Sequence, residues 1–183
     1  MSSGRLSVNL NSLLVLLLFC SSLIVPVVVA VARFTNIKCT SLDKEFSTVD
    51  QCALKIIKRN VVGLNVVCKL LKGPVNDVNI NIVLYKRSNG YQPFLINATG
   101  DLCKFFENRK RNQVFNLLAD YFLRSSNINH TCPYDHDLIV ENLILDSDLF
   151  SALPLQNGDY MFKVLAGNLN NWKVEFKVYF RKS

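Results

Sequence analysis

The chain is poor in the side chains on which chemistry is usually built. It holds two histidines, His130 and His136, in 183 residues, and no repeat of the Cys and His spacings that converge on a structural metal ion. It has no Gly-rich phosphate loop and no G-x-S-x-G nucleophile elbow. No linker, internal repeat or low-complexity tract divides it. Basic residues outnumber acidic ones by 21 to 14, a formal net charge of +7, but only Arg109-Lys110-Arg111 forms a cluster. Charge so scattered is too diffuse for a nucleic-acid footprint and supports at most a mild attraction to anionic surfaces or glycans. No metal, cofactor, catalytic residue or nucleic-acid partner is expected.

What the sequence does have begins with an apolar run, Leu13 to Val31, preceded by the single charge Arg5 and ending in Ala30-Val31-Ala32. A basic start, an apolar stretch and small residues at the last and third-last positions describe a secretory signal peptide over residues 1–32, cleaved after Ala32. The run is also about long enough to span a bilayer as an anchor, but Pro26 and the cleavage triplet argue for removal. The mature protein, residues 33–183, is then a secreted, extracellular single domain with no stable membrane anchor.

Period-two alternation dominates that domain. Val78, Ile80, Ile82 and Leu84 alternate with Asn79, Asn81, Val83 and Tyr85, and Val174, Phe176, Val178 and Phe180 with Lys173, Glu175, Lys177 and Tyr179. Leu64, Val66, Cys68 and Leu70 form a third apolar row. These are half-buried antiparallel strands, separated by turn signals at Lys72-Gly73-Pro74, Ser88-Asn89-Gly90, Asn157-Gly158-Asp159 and residues 167–171. Strands are predicted at about 34–42, 49–58, 62–71, 76–87, 93–103, 138–145, 159–167 and 172–180. One segment departs from the pattern: Val114, Leu117, Leu118, Tyr121 and Phe122 follow helical spacing, which predicts one amphipathic helix over 112–125. Arg109, Lys110 and Arg111 stand where a helix dipole prefers acids, so the chain is expected to turn in solvent there. The fold class is all-β with one helix, a two-sheet antiparallel sandwich.

Cys20 leaves with the signal peptide, and Cys39, Cys52, Cys68, Cys103 and Cys132 remain in a compartment where disulfides persist. Cys39 and Cys52 flank a turn at residues 43–50 and would face each other across a hairpin whose opposed positions sum to 91. A hairpin turning at Asn60 would instead oppose Cys52 and Cys68. Cys103, after one strand, and Cys132, before the next, could staple both ends of the helical excursion. Cys68 lies on an apolar row and reads as a buried free thiol. Two glycosylation acceptors, Asn97-Ala98-Thr99 and Asn129-His130-Thr131, fit the same compartment.

Residues 129–138, NHTCPYDHDL, pack His130, Cys132, Asp135, His136 and Asp137 into one stretch. A metal site is excluded if Cys132 is oxidised, and a triad needs a nucleophile and an oriented base that three chain neighbours cannot supply. The stretch reads as a glycan site at Asn129, a disulfide foot at Cys132, a fixed φ at Pro133 and caps at Asp135 and Asp137 before the next strand. Binding has broader support. Twelve Phe and six Tyr give more aromatic bulk than a sandwich of this size needs, and Phe94, Phe105, Phe106, Phe115, Phe122, Phe150, Phe162 and Phe176 are candidates to line an apolar pocket between the sheets. The helix is expected to cover a sheet edge in preference to acting as a lid.

Several segments occur in one order: Phe34-Thr-Asn-Ile-Lys-Cys39, Cys52-Ala-Leu-Lys55, Leu84-Tyr-Lys-Arg87, Gly90-Tyr91-x-Pro93-Phe94, Asp101-Leu-Cys103 and Asn129-His-Thr-Cys-Pro-Tyr134. In them the chain resembles a large insect family of secreted domains of unknown function, expanded in fruit flies, that includes the CheB-like chemosensory proteins. That family is in turn distantly similar to ML lipid-recognition domains, among them Niemann-Pick-type sterol carriers and the ganglioside activator. The resemblance implies an immunoglobulin-like (ML-like) sandwich with an apolar cavity, no enzymatic activity, and disulfides Cys39–Cys52 and Cys103–Cys132. Two functions are then expected: a binding protein for a lipid, sterol or other hydrophobic small molecule, or an extracellular protein acting through its surface on a receptor or channel. Protein secreted from insect cells should begin at Arg33 on N-terminal sequencing. Enzymatic deglycosylation should convert Asn97 and Asn129 to Asp, detectable by peptide mass.

Overall fold

The computed structural model describes residues 32–145, 149–150 and 153–183; the segment 1–32 expected as a signal peptide therefore lies outside the described residues, except for Ala32. Eight strands are present among the described residues. They are β1 (Ala32–Ser41), β2 (Ser47–Lys58), β3 (Val61–Leu70), β4 (Asn79–Ser88), β5 (Gly90–Asp101), β6 (Leu138–Leu143), β7 (Gly158–Asn168) and β8 (Asn171–Lys182). All pairings are antiparallel and form two sheets, one ordered β1-β8-β7-β4-β5 and the other β2-β3-β6. The alternation read from the sequence thus builds a two-sheet open sandwich.

Three hairpins are made by residues suited to left-handed backbone. Asn60 (φ 63°) turns β2 into β3, Gly90 (φ 96°) closes β4–β5, and Asn170 (φ 67°) closes β7–β8. Next to the last of these, Gly167 has φ 151°, and a Cβ there would stand 2.6 Å from the Lys173 backbone nitrogen. Only glycine fits so close a crossing.

The first disulfide is Cys39–Cys52, but its setting differs from the hairpin expected. Cys39 pairs across a ladder with Phe176 of β8, and Cys52 with Val66 of β3. The two cysteines therefore belong to opposite sheets, and their bond joins the sheets at one edge. The loop between them is a corner, not a hairpin. The Asp43 carbonyl accepts from the backbone N–H groups of Phe46 and Ser47, while Leu42 N–H donates to the Lys173 carbonyl, extending the pairing of β1 with β8 before the chain crosses to the other sheet. The Asn60 hairpin exists as well, with Cys68 opposite Val49, leaving Cys68 a free, buried thiol.

The segment between β5 and β6 holds more helix than expected. β5 ends at Asp101, whose carboxylate caps helix α1 (Leu102–Glu107) by accepting from Lys104 N–H at 3.0 Å. Cys103 thus sits in a helix and not on the end of a strand. Six residues are too few for a period to show. Arg109–Arg111 forms a 3-10 turn, and Arg109 there is engaged, pairing with Asp120 at 2.5 Å and covering the Phe105 ring. Helix α2 (Gln113–Leu123) begins at Asn112, which accepts from Phe115 N–H. The Cys103–Cys132 disulfide ties this excursion to the approach to β6. No helix among the described residues is long and apolar enough to cross a membrane.

The two disulfides close chain segments of 13 and 29 residues. Cys39→Ser with Cys52→Ser should lower the unfolding free energy by about 3 kcal/mol and the other double replacement by about 3.6 kcal/mol on loop entropy alone. Calorimetry checks both losses. Limited proteolysis should show faster cleavage within residues 102–123 only in the second variant.

Candidate functional site

The interior divides into a solid part and a hollow part. Near the β4–β5 hairpin, Leu84, Tyr160 and Phe180 are fully buried. Tyr160 and Phe162 stack on either side of this packing with ring centroids 5.4 Å from Phe180, and Tyr160 Oη donates to the Gln156 carbonyl. Phe94 packs here against Tyr160 under the Lys86 ammonium, and Phe150 against Phe180. Neither lines the apolar cavity at the other end; both belong to the solid part.

Toward the other end the sheets enclose an apolar cavity of about 320 Å³. Ile80 and Ile82 of β4, Phe162 and Val164 of β7, and Val174, Phe176 and Val178 of β8 form one wall; Leu64, Val66 and Cys68 of β3 with Val140 of β6 form the other. The helices close the gap where β5 and β6 do not meet. Phe105 and Phe106 of α1, and Phe115, Leu118 and Phe122 of α2, complete the lining. Of the candidates from sequence, Phe105, Phe106, Phe115, Phe122, Phe162 and Phe176 thus come together around one space. Helix α2 covers a sheet edge, as expected, and its apolar face is at the same time cavity wall.

Polar groups on this lining are few and gathered toward the end where the β7–β8 hairpin lies: Ser47, Asp77, Asn168 and Lys173. Lys173 is held by Asp43 at 2.7 Å over the Phe46 ring. The buried Ser47 hydroxyl has no hydrogen-bond partner of ordinary length; it stands by Cys68, whose thiol burial pushes up in pKa while that hydroxyl partly offsets the rise. Ser47, Lys173 and Tyr134 gave no sign in the sequence, because polar residues within or beside alternating strands say nothing of a cavity. Cys68 was legible only as an inward position.

The stretch 129–138 lies outside this lining apart from Tyr134 and Leu138. His130 and His136 meet, Nε2 to Nε2, at 2.9 Å. His130 Nδ1–H donates to the Thr131 carbonyl at 2.6 Å, and His136 Nδ1 lies 2.9 Å from the Asp137 carbonyl and 3.1 Å from the Asn127 amide nitrogen. Asp135, His136 and Asp137 do not assemble with a nucleophile, and among the described residues no group of three His, Cys, Asp or Glu side chains could hold a metal. The turn before β6 is fixed by Asn127, which accepts from Ile139 N–H and donates to the Asp137 carbonyl. The carboxylates of Asp135 and Asp137 were expected to do this; an amide, which both donates and accepts, serves two backbone groups at once. Asn97 and Asn129 are both exposed.

A family profile described as "Protein of unknown function (DUF1091)" matches residues 80–162, which span β4, β5, both helices, β6 and the start of β7. No curated protein matches the chain.

Tyr134 is buried and donates its hydroxyl to the His130 carbonyl at 2.6 Å, and burial pushes its pKa up to about 12 from 10.0. A raised pKa means that the neutral phenol stabilises the fold fully below pH 10.0, and that this contribution is lost as pH rises through about 12. In an ultraviolet titration one tyrosine should ionise after the others. Tyr134→Phe should remove that late step and cost about 1 kcal/mol of stability.

Proposed function

We propose that this protein is a secreted, non-enzymatic binding protein for a small apolar ligand: a lipid, a sterol or a hydrocarbon. The observation that carries the reading is the cavity between the sheets, lined by side chains with almost no hydrogen-bonding capacity. Its volume of about 320 Å³ falls at the low end of the range of about 300–1,000 Å³ that ligand sites occupy. Affinity would come from burial, at about 0.8 kcal/mol per methylene. Two disulfides suit an oxidising compartment, and the resemblance to insect chemosensory and ML domains favours a carried lipid or cuticular hydrocarbon.

Native mass spectrometry of protein from insect cells should detect a bound apolar molecule, and a fluorescent fatty acid should compete with it. Leu118→Trp, which fills the cavity from α2, should weaken the fatty acid at least tenfold while leaving the far-ultraviolet circular dichroism unchanged. Cys68 lies on the cavity wall, so ligand should also slow its alkylation by an apolar maleimide. A chain that carries no ligand, takes up no probe and shows no such protection would leave a protein acting through its surface on a receptor or channel.

A further inference from the structure

The scattered positive charge of the sequence is not scattered in the fold. Residues that face one another across a ladder point the same way, so the registers define what the outer face of the five-stranded sheet presents. Lys38 of β1 lies opposite Lys177 of β8, and Lys177 opposite Lys163 of β7. Three lysines thus stand side by side on adjacent strands, at spacings of about 4.8 Å. Four residues along β8, or about 13 Å, a second row runs across the sheet: Arg33, Arg181 and Asp159 are opposed in turn, and Arg87 of β4 joins them through its ion pair with Asp159. Tyr179 and Tyr85 flank Met161 between the rows, and Tyr91 stands against Tyr179 with ring centroids 5.5 Å apart.

Like charges directly opposite each other destabilise a sheet. Two carboxylates relieve part of that cost. Glu175 bonds both Lys163 and Lys177, at 3.2 and 2.8 Å, and Asp159 takes a two-point contact from Arg181. Both acids lie low: the Glu175 side chain is 16% exposed beneath lysines that are 30% and 35% exposed, and Asp159 is 24% exposed beneath arginines at 50% and 62%. Six cations against two sunken carboxylates leave a formal excess of four positive charges, with the cations outermost. Val83 and Met161, apolar residues of the same face, are buried among their neighbours, and the exposed Leu95 of β5 is a single apolar side chain, too little to insert into a membrane. The Asn97 acceptor lies in register with Val83, two strands from Lys163, and a glycan there leaves the lysine row open.

We infer that this face is a binding surface for a sulfated polysaccharide. A linear polyanion can lay successive sulfates along the lysine row and its sugar rings on the tyrosines. This is independent of the cavity. The mature chain should be retained on immobilised heparin at physiological salt and should bind dextran sulfate but not neutral dextran. Lys38→Glu with Arg33→Glu, both exposed and on the edge strand, should weaken heparin at least tenfold. The same charge change on the opposite sheet, Lys55→Glu with Lys58→Glu, should leave it within about twofold, and Leu118→Trp should not alter it. Equal loss in the two double variants would show attraction by net charge alone. That result, absence of binding at physiological salt, or capture by phosphatidylserine vesicles in place of the polysaccharide would each overturn the proposal.

Discussion

The architecture follows from an unequal pairing: a sheet of five strands faces a sheet of three. Both turn an apolar face inward, and apolar surface left in water is costly at about 25 cal/mol per Å². Three strands cannot cover five. At the β1–β2 edge the sheets are bonded together by Cys39–Cys52. At the other edge β5 has no partner strand in the smaller sheet, and α1 and α2 fill the space with Phe105, Phe115 and Phe122. The helices are therefore a consequence of the strand count. The cavity is what remains where neither side chains nor helices reach.

Much of this was legible in the sequence, and what was not has physical causes. Strands such as β4 and β8 announce themselves because their faces differ in polarity at every second residue. The corner at residues 42–46 could not be told from a hairpin. Both need a tight turn with an Asp that accepts backbone N–H groups, and only the long-range pairings of β1 with β8 and β2 with β3 separate them. The connectivity of Cys39 and Cys52 came through resemblance, since spacing alone left Cys68 as a rival. Helix α1 was missed because six residues carry too few apolar positions to define a period. The cavity lay beyond local pattern altogether: Phe94 and Phe162 are alike as inward aromatics, and only the separation of the sheets decides which fills and which lines.

The stretch NHTCPYDHDL shows how reactive side chains can be spent on shape. Its two imidazoles satisfy each other and a carbonyl, its cysteine is oxidised, and its tyrosine is buried with a single acceptor. Each group has its partner within a few residues, save Cys132, which reaches back to α1. Meanwhile the groups that sequence reading passed over as ordinary strand exteriors, Lys38, Lys163 and Lys177, stand abreast only because two ladders join their strands.

Among the described residues no strand of one sheet pairs with a strand of the other, yet Cys39–Cys52 fixes one edge. The sandwich is fastened covalently near both edges: Cys39–Cys52 joins the sheets directly at one, and at the other Cys103–Cys132 ties α1 to the approach to β6, where Tyr134 and Val75 also bridge through their backbones. Between these fastenings no ladder joins the two sheets, and the stacked rings of Tyr160, Phe162 and Phe180 fill one corner. On the proposed function, fastened edges would set the bore, and ligands of different chain length would be told apart by their fit to walls of fixed spacing.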